Sequence, residues 1–429
     1  MQSLIIFVVF FIAVFLSIPI GISMGLAVIV YIYAQGTIDF NYIVSGMFTA
    51  TDSFPLMAIP FFILSGALME GGGLSKRLVN FFDSLVGQFT GGLAIVTVVT
   101  CMFFGAISGS APATVAAVGT IMVPSMVEKG YDKRFAIALI AAAGCLGTII
   151  PPSIPMVMYG VATGASISTM FSAGILPGIV CGLMLIILCV FICKKRGFVG
   201  NGQKFSIKRV LSELKEAIWA IFVPVIILGG IYGGFFTPTE AAVVATMYSL
   251  LVGIFIYKEL KIHTIYDRLA SSANTTGTIL IIVGVGTILG RVLTLEGVPT
   301  MIANGILGVS TNRWVILLLV NVLLLICGCL LETTSAILIL SPILYPVMQA
   351  VGVDLIHFGI MMVVNLSIGF ITPPVGVNLF VACGIGNIKF EDLVRRIVPF
   401  LAALLIGLIL IVIFPNISLL IPKLSGYTP

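Results

Sequence analysis

Two groups of hydroxyl, glycine and proline residues interrupt an otherwise apolar chain. The first group is Ser108, Ser110 and Thr114 in SGSAPAT, with Gly147, Thr148 and Ser153 in GTIIPPS. The second is Glu332, Thr333, Thr334 and Ser335, with Gly369, Thr372 and Asn378 in GFITPPVGVN. Proline lacks a backbone N–H and breaks a helix, so it frees carbonyl oxygens a turn away. Free carbonyls beside hydroxyls suit a hard cation such as Na⁺, while the N-terminal end of a half-helix carries partial positive charge and suits an anion. This reading gives one cation site to each group. The anion would be held by Arg291 together with Ser108, Ser153, Thr334 and the prolyl break at Pro374. Arg291 lies inside an apolar span, where a charge is costly and marks a functional position. It would hold a carboxylate by paired hydrogen bonds. Glu332 is the one acid at either interruption, fitted to balance a cation, carry a proton or pair with the scaffold. Plainer alternatives stand beside each reading. The hydroxyls satisfy backbone groups next to proline, glycine permits close helix packing, and Arg291 snorkels to the interface.

The elements that position these groups repeat. Pro124, Gly130, Asp132, Gly147, Pro151, Pro152 and Pro177 recur 222 residues later as Pro346, Gly352, Asp354, Gly369, Pro373, Pro374 and Pro399. Gly66, Gly73 and Asn80 recur, offset by 224, as Gly290, Gly297 and Asn304. A duplicated apolar unit with broken helices at matching places points to a secondary transporter.

Composition requires a membrane. Of the 429 residues 60% are hydrophobic and 9% charged, and the mean hydropathy is +1.25. Soluble domains carry about 25% charged residues. Spans are expected at 3–33, 54–72, 133–166, 172–193, 217–236, 239–257, 272–295, 355–386 and 397–421. The stretches 92–128 and 313–350 are each interrupted midway by polar residues. Their arms are short of the ~30 Å hydrocarbon core, which favours re-entrant hairpins over two kinked crossings. With the first helix running outward, the loops 73–91, 129–134, 194–216, 258–271 and 387–396 face inward and hold 18 of the 21 Lys and Arg residues. Positive charge belongs inside. This predicts a cytoplasmic N terminus and a periplasmic C terminus, and it inverts one repeat against the other. Segments 74–88 and 298–310 read as amphipathic arms at the surface. The loop 194–216 reads as a solvated face touching anionic lipid, with no nucleic-acid role.

Enzyme readings find little support. There is no GxxxxGK[ST] and no HExxH, and Gly71–Lys76 reads as a turn. The eight cysteines lie mostly in apolar runs and read as packing residues. A channel or a non-transporting scaffold fits poorly with paired broken helices.

The stretches FGAISGSAPATVAAVGTIMVPSM, GTIIPPSIPMVMYG, FFTPTEAAVVA and GFITPPVGVNLFV resemble the large membrane subunit of tripartite ATP-independent periplasmic (TRAP) transporters, the DctM-like family. The resemblance runs over essentially the whole chain. It implies an all-α polytopic fold of inverted repeats, with an elevator-type transport domain carrying two re-entrant hairpins and broken helices. It implies Na⁺-coupled symport of a small organic anion across the bacterial inner membrane, with Na⁺ as coupling ion and no other cofactor. Carboxylates such as sialic acid or a C4-dicarboxylate are the expected cargo. A periplasmic binding protein would deliver it, and a small four-helix membrane subunit would complete the complex. The layout expected is 1–91 scaffold and arm, 92–166 first transport half, 167–312 scaffold helices, linker and the start of the second repeat with 272–295 near the transport domain, 313–386 second transport half, and 387–429 C-terminal helix. The alternative is a stand-alone Na⁺-coupled carrier of dicarboxylate or citrate that needs no binding protein.

Overall fold

The structure is a computed structural model that describes residues 3–16, 18–35, 40–198, 205–310 and 312–428. Residues 199–204 of the joining loop, Lys204 among them, lie outside the described residues. Among the described residues all regular structure is helical, and nine helices are long and apolar enough to cross a bilayer. In the first half, α1 (Ser3–Phe15), α2 (Ile20–Gln35), α3 (Phe40–Thr51) and α4 (Ala58–Gly71) precede an arm, α5 (Leu74–Val86). A hairpin follows, α6 (Gly92–Ser108) and α7 (Ala111–Glu128). Then come α8 (Lys133–Gly144), α9 (Leu146–Ile149), α10 (Ile154–Thr163) and the long α11 (Ile167–Arg196). The second half runs α12 (Ile207–Tyr232), α13 (Pro238–Leu251), α14 (Ile262–Leu295) and an arm, α15 (Val298–Val309). Its hairpin is α16 (Arg313–Leu330) and α17 (Thr333–Ala350). It ends with α18 (Leu355–Gly369), α19 (Val377–Gly386), α20 (Phe390–Ile413) and α21 (Asn416–Leu424).

The repeated residues have repeated tasks. Asp132 caps α8 by accepting from Arg134 N at 2.9 Å, and Asp354 caps α18 by accepting from Ile356 N at 2.9 Å. Each cap satisfies an N–H that a helix start leaves free. Gly130 and Gly352 turn the chain just before these caps at φ 84° and 70°, a left-handed conformation that glycine adopts without steric cost. The double prolines separate α9 from α10 and α18 from α19, and the first break bends its crossing by 40°. The hairpins are joined by only two residues each, Gly109–Ser110 and Leu331–Glu332, so both arms return to the end they started from. The expected arms at 74–88 and 298–310 are both helices; α5 buries Leu74, Leu78, Val79 and Phe82 on one face.

The N-terminal expectation needs correction. The run 3–33 is not one crossing. It breaks before Pro19, which offers no N–H, into α1 of 13 residues and α2 of 16. The two pack side by side across a short link, so Ser3 and Gln35 lie at the same end of a helical pair. Tyr31, near that end, donates to the Glu296 carboxylate at the C-terminal end of α14. The cytoplasmic N terminus rested on one outward crossing and does not follow from this arrangement. Several spans are also longer than their apolar cores: α14 begins at Ile262, not 272, and α12 at Ile207, not 217. Long charged side chains continue these helices into the interface.

The helices sort into two packed groups. One holds α2–α4 and α12–α14, with α4 on α13 and α14 as its centre. The other holds α6–α11 and α16–α21, where α11 packs on α6, α18, α20 and α21. Residues 167–196 therefore pack with the hairpins, not with the scaffold helices of the expected 167–312 interval, and α20 and α21 join them. Ion pairs tie this group at its charged end, Arg196 to Asp132 and Arg134 to Asp392, both at 3.2 Å. The arms α5 and α15 bridge the groups, α5 touching α12 and α6, and α15 touching α14 and α17.

Candidate functional site

Both hairpin tips reach a single cavity of roughly 540 Å³. Ser108, Gly109 and Ser110 enter from the first tip and Glu332 and Thr334 from the second. Thr148, Ile154, Phe370 and Val377 bring both helix breaks to its wall. The scaffold side is Gly66 and Glu70 of α4 and one face of α14 from Arg268 to Ile282. Glu70 and Arg268 form an ion pair of 3.0 Å, each about one-third exposed (33% and 32%), at the Lys- and Arg-rich end.

The first expected cluster assembles. Ser108 Oγ lies 3.1 Å from Thr114 Oγ1, which donates to Ser110 O at 2.8 Å. Gly147 permits this approach, since a Cβ there would overlap Thr114 Oγ1 and lie 2.7 Å from Ser110 O. The Gly109 carbonyl accepts from Ile154 N at 3.3 Å, which fastens the tip to the start of α10. Ser153 caps α10 and also donates to Thr148 O. Thr148 Oγ1 shares a hydrogen bond of 2.8 Å with Ser367 Oγ of α18.

The second cluster is partly assembled. Glu332 caps α17, accepting from Thr334 N at 2.9 Å, Ser335 N at 3.2 Å and Thr334 Oγ1 at 2.7 Å. The hydroxyls of Thr333 and Ser335 are buried without a partner among the described residues. An unpaired buried hydroxyl is costly, so these oxygens are open to a ligand. Gly369 serves packing, because a Cβ there would overlap the Gly328 carbonyl of the hairpin. Thr372 Oγ1 donates to Ile368 O at 2.9 Å, back onto its own helix.

Other expected residues lie elsewhere. Asn378 donates to Ala141 O of α8 at 3.1 Å, so it sits against the first repeat, with its Oδ1 buried and without a partner among the described residues. Pro374 is exposed and does not line the cavity. Arg291 lines a second cavity of roughly 530 Å³ with Gly290, Thr294, Leu338 and Pro342, apart from both tips. The sequence reading missed Ser367, which meets Thr148 across the repeats, and the pair of half-buried Asn321 and buried Asn365, whose Nδ2 donates to Asn321 Oδ1 at 2.9 Å. Two asparagines in apolar helices were a visible signal; their partnership was not.

Hydroxyls, backbone carbonyls and one carboxylate thus gather beside the helix breaks at this cavity. The sequence profile of the tripartite ATP-independent periplasmic transporter DctM component matches residues 7–417. The chain belongs to this family. Among relatives of this TRAP permease, the isethionate TRAP transporter permease protein DctMQ of Oleidesulfovibrio alaskensis is 49% identical over 92% of this chain and 62% of its own length. The chain thus spans under two-thirds of that relative. The C4-dicarboxylate TRAP transporter large permease protein DctM of Pseudomonas aeruginosa is 42% identical over 89% of both chains. The sialic acid TRAP transporter large permease protein SiaM of Vibrio cholerae is 41% identical over 90% and 91%. The crystal structure of the Alcanivorax borkumensis YdaH transporter superposes with a TM-score of 0.63 at 16% identity, covering 88% of each chain. That likeness concerns the fold alone. These relatives are permeases, and the TRAP chain is a multi-pass transporter subunit, not an enzyme.

Proposed function

We propose that this TRAP permease couples Na⁺ entry to uptake of a small organic anion, by vertical movement of the hairpin-bearing helices against the others. The meeting of both hairpin tips and both helix breaks in one cavity is the observation that carries this reading. Ser108, Ser110, Thr114 and the Gly147–Ser153 segment would hold one cation. Glu332, Thr333, Thr334 and Ser335 would hold the other, with Asn378 assigned to the first repeat's side. Bound cations would order the tips, and ordered tips would complete the anion site; the link is reciprocal. The names of the relatives suggest an isethionate, C4-dicarboxylate or sialic acid cargo, all small anions.

An asymmetry between the repeats supports the movement. Gly66 of α4 abuts the first tip, where a Cβ would lie 3.0 Å from Ser108 Cα. Its counterpart Gly290 instead faces Leu338 O at 3.9 Å, eight residues beyond Leu330, the counterpart of Ser108. Leu338 lies five residues along α17 from its start at Thr333, about 8 Å of helix. Exchanging the two environments would carry the tips about that far, from Glu70 and Arg268 to Gly290 and Arg291. Arg291 would then meet the cargo in the outward arrangement only. The charged ends of α5, α8, α11 and α20 would face the cytoplasm of a bacterial inner membrane, with α21 on the periplasmic side. A small membrane subunit and a periplasmic binding protein would complete the complex.

Uptake into proteoliposomes with that small subunit tests the proposal. Labelled succinate, N-acetylneuraminate and isethionate are offered with and without a binding protein and an inward Na⁺ gradient. Flux that needs both supports the reading. Flux without the binding protein favours a stand-alone carrier, and flux driven by protons alone removes the cation sites.

A further inference from the structure

One wall of the inward cavity carries polarity that neither tip explains. Along α14, Arg268, Ser271, Ser272, Thr275 and Thr278 recur at helical spacing and line it. Ser272 is 5% exposed, and its hydroxyl has no hydrogen-bond partner among the described residues. Thr275 and Thr278 donate back to Ser271 O and Asn274 O at 3.1 and 3.0 Å, which leaves their oxygen lone pairs able to accept. Arg268 holds Glu70 at 3.0 Å at the cavity's charged end. The inverted repeat supplies an internal control. At the offset of 224 the counterparts of Arg268, Ser271, Ser272, Thr275 and Thr278 are Val44, Met47, Phe48, Thr51 and Phe54, and that of Glu70 is Thr294. The matching stretch of the other repeat is divided between α3 and α4 and carries no Lys or Arg, so the cationic head of Arg268 belongs to this repeat alone. Of the α14 residues named, Ser272 alone is buried, and its unpaired hydroxyl points to a ligand.

We propose that this face of α14 is a release-side subsite for the anionic cargo, with Arg268 as its counter-charge and Ser272 as a hydrogen-bond donor. Glu70 competes with the anion for Arg268, which keeps the subsite from becoming a trap. The cargo is a small carboxylate or sulfonate, whose flat or tripodal oxygens a guanidinium binds through paired donors. The subsite exists on the cytoplasmic side alone, so it makes entry and exit chemically unlike. This inference rests on the inward anion transport proposed above.

Counterflow with the small subunit present separates the two. Vesicles with a single protein orientation are loaded with unlabelled succinate or isethionate at graded concentrations, and uptake of the labelled anion is followed. Arg268→Gln is expected to raise the half-saturating concentration on the cytoplasmic side about tenfold, the worth of one charge-assisted hydrogen bond. Periplasmic half-saturation and Na⁺ activation should stay within about twofold. Glu70→Gln is expected to lower both cytoplasmic half-saturation and maximal rate, because the arginine then holds the anion longer. Ser272→Ala should follow Arg268→Gln in direction with a smaller shift. Equal shifts on both sides would overturn the subsite. So would a defect in both single variants that the double variant restores, since that marks a structural ion pair. A wild-type protein that moves no anion would instead sink the transport reading, and the subsite with it.

Discussion

Gly66→Ala tests whether the two helix groups move against each other. The new methyl would sit 3.0 Å from Ser108 Cα and 3.1 Å from its Cβ, inside the 3.5–4.0 Å at which carbon atoms pack best. Backbone on both sides of the contact leaves little to yield. Overpacking of this kind costs about 1–3 kcal/mol. If Gly66 meets the tip only in the inward arrangement, the cost falls on that state alone, and the population shifts outward by roughly five- to hundredfold. The assay is thiol labelling of Ala113→Cys, a cavity-lining position beside the first tip, with Cys327, Cys329 and Cys383 replaced by serine. An impermeant reagent applied from the cytoplasmic side should label this site several-fold more slowly when Gly66→Ala is added. Labelling from the other side should accelerate. Unchanged labelling from both sides, with a lowered melting temperature, would mean that Gly66 is static packing. The proposed displacement would then lose its support.

Three further outcomes follow from the same geometry. Gly147→Ala should push the first tip off the break, since its Cβ would overlap Thr114 Oγ1; Na⁺ half-saturation of uptake should rise at least about tenfold. Thr148→Val and Ser367→Ala should each cost about 1 kcal/mol of stability by thermal melting, and the double variant should cost less than their sum, because they share one hydrogen bond of 2.8 Å. Glu332→Gln retains a side-chain oxygen to cap α17 but removes the charge beside Thr334; Na⁺ activation should weaken while assembly with the small subunit, followed by co-purification, stays intact.

The parts of this fold legible in the sequence are those set by local chemistry. Gly130 and Gly352 turn the chain, Asp132 and Asp354 cap helices, and the double prolines stop them, so the repeat was visible residue by residue. Pro19 was an equally local signal for the N-terminal break, but the uninterrupted hydropathy around it masked the turn. The clusters were legible only within each repeat. Offsets of 222 assign Thr148 to one half and Ser367 to the other, yet the two hydroxyls bond to each other, and Asn378 leaves its own half for the Ala141 carbonyl. Helices buried against apolar neighbours show no periodicity that says which neighbour they meet: Phe135 to Gly144 and Ile356 to Gly369 are buried on every side. Arg291 carries the same lesson in another form. Its sequence counterpart, Ala67, lines the cavity that holds both tips, while Arg291 itself lines a second cavity apart from them. Under the proposed movement an inverted repeat would encode two arrangements in one chain, and a residue suited to one of them would stand apart from its partners in the other. A position that sequence logic joins to a site and geometry separates from it is therefore what a moving site requires, and Arg291 should regain the hairpin tips in the arrangement that Gly66→Ala favours.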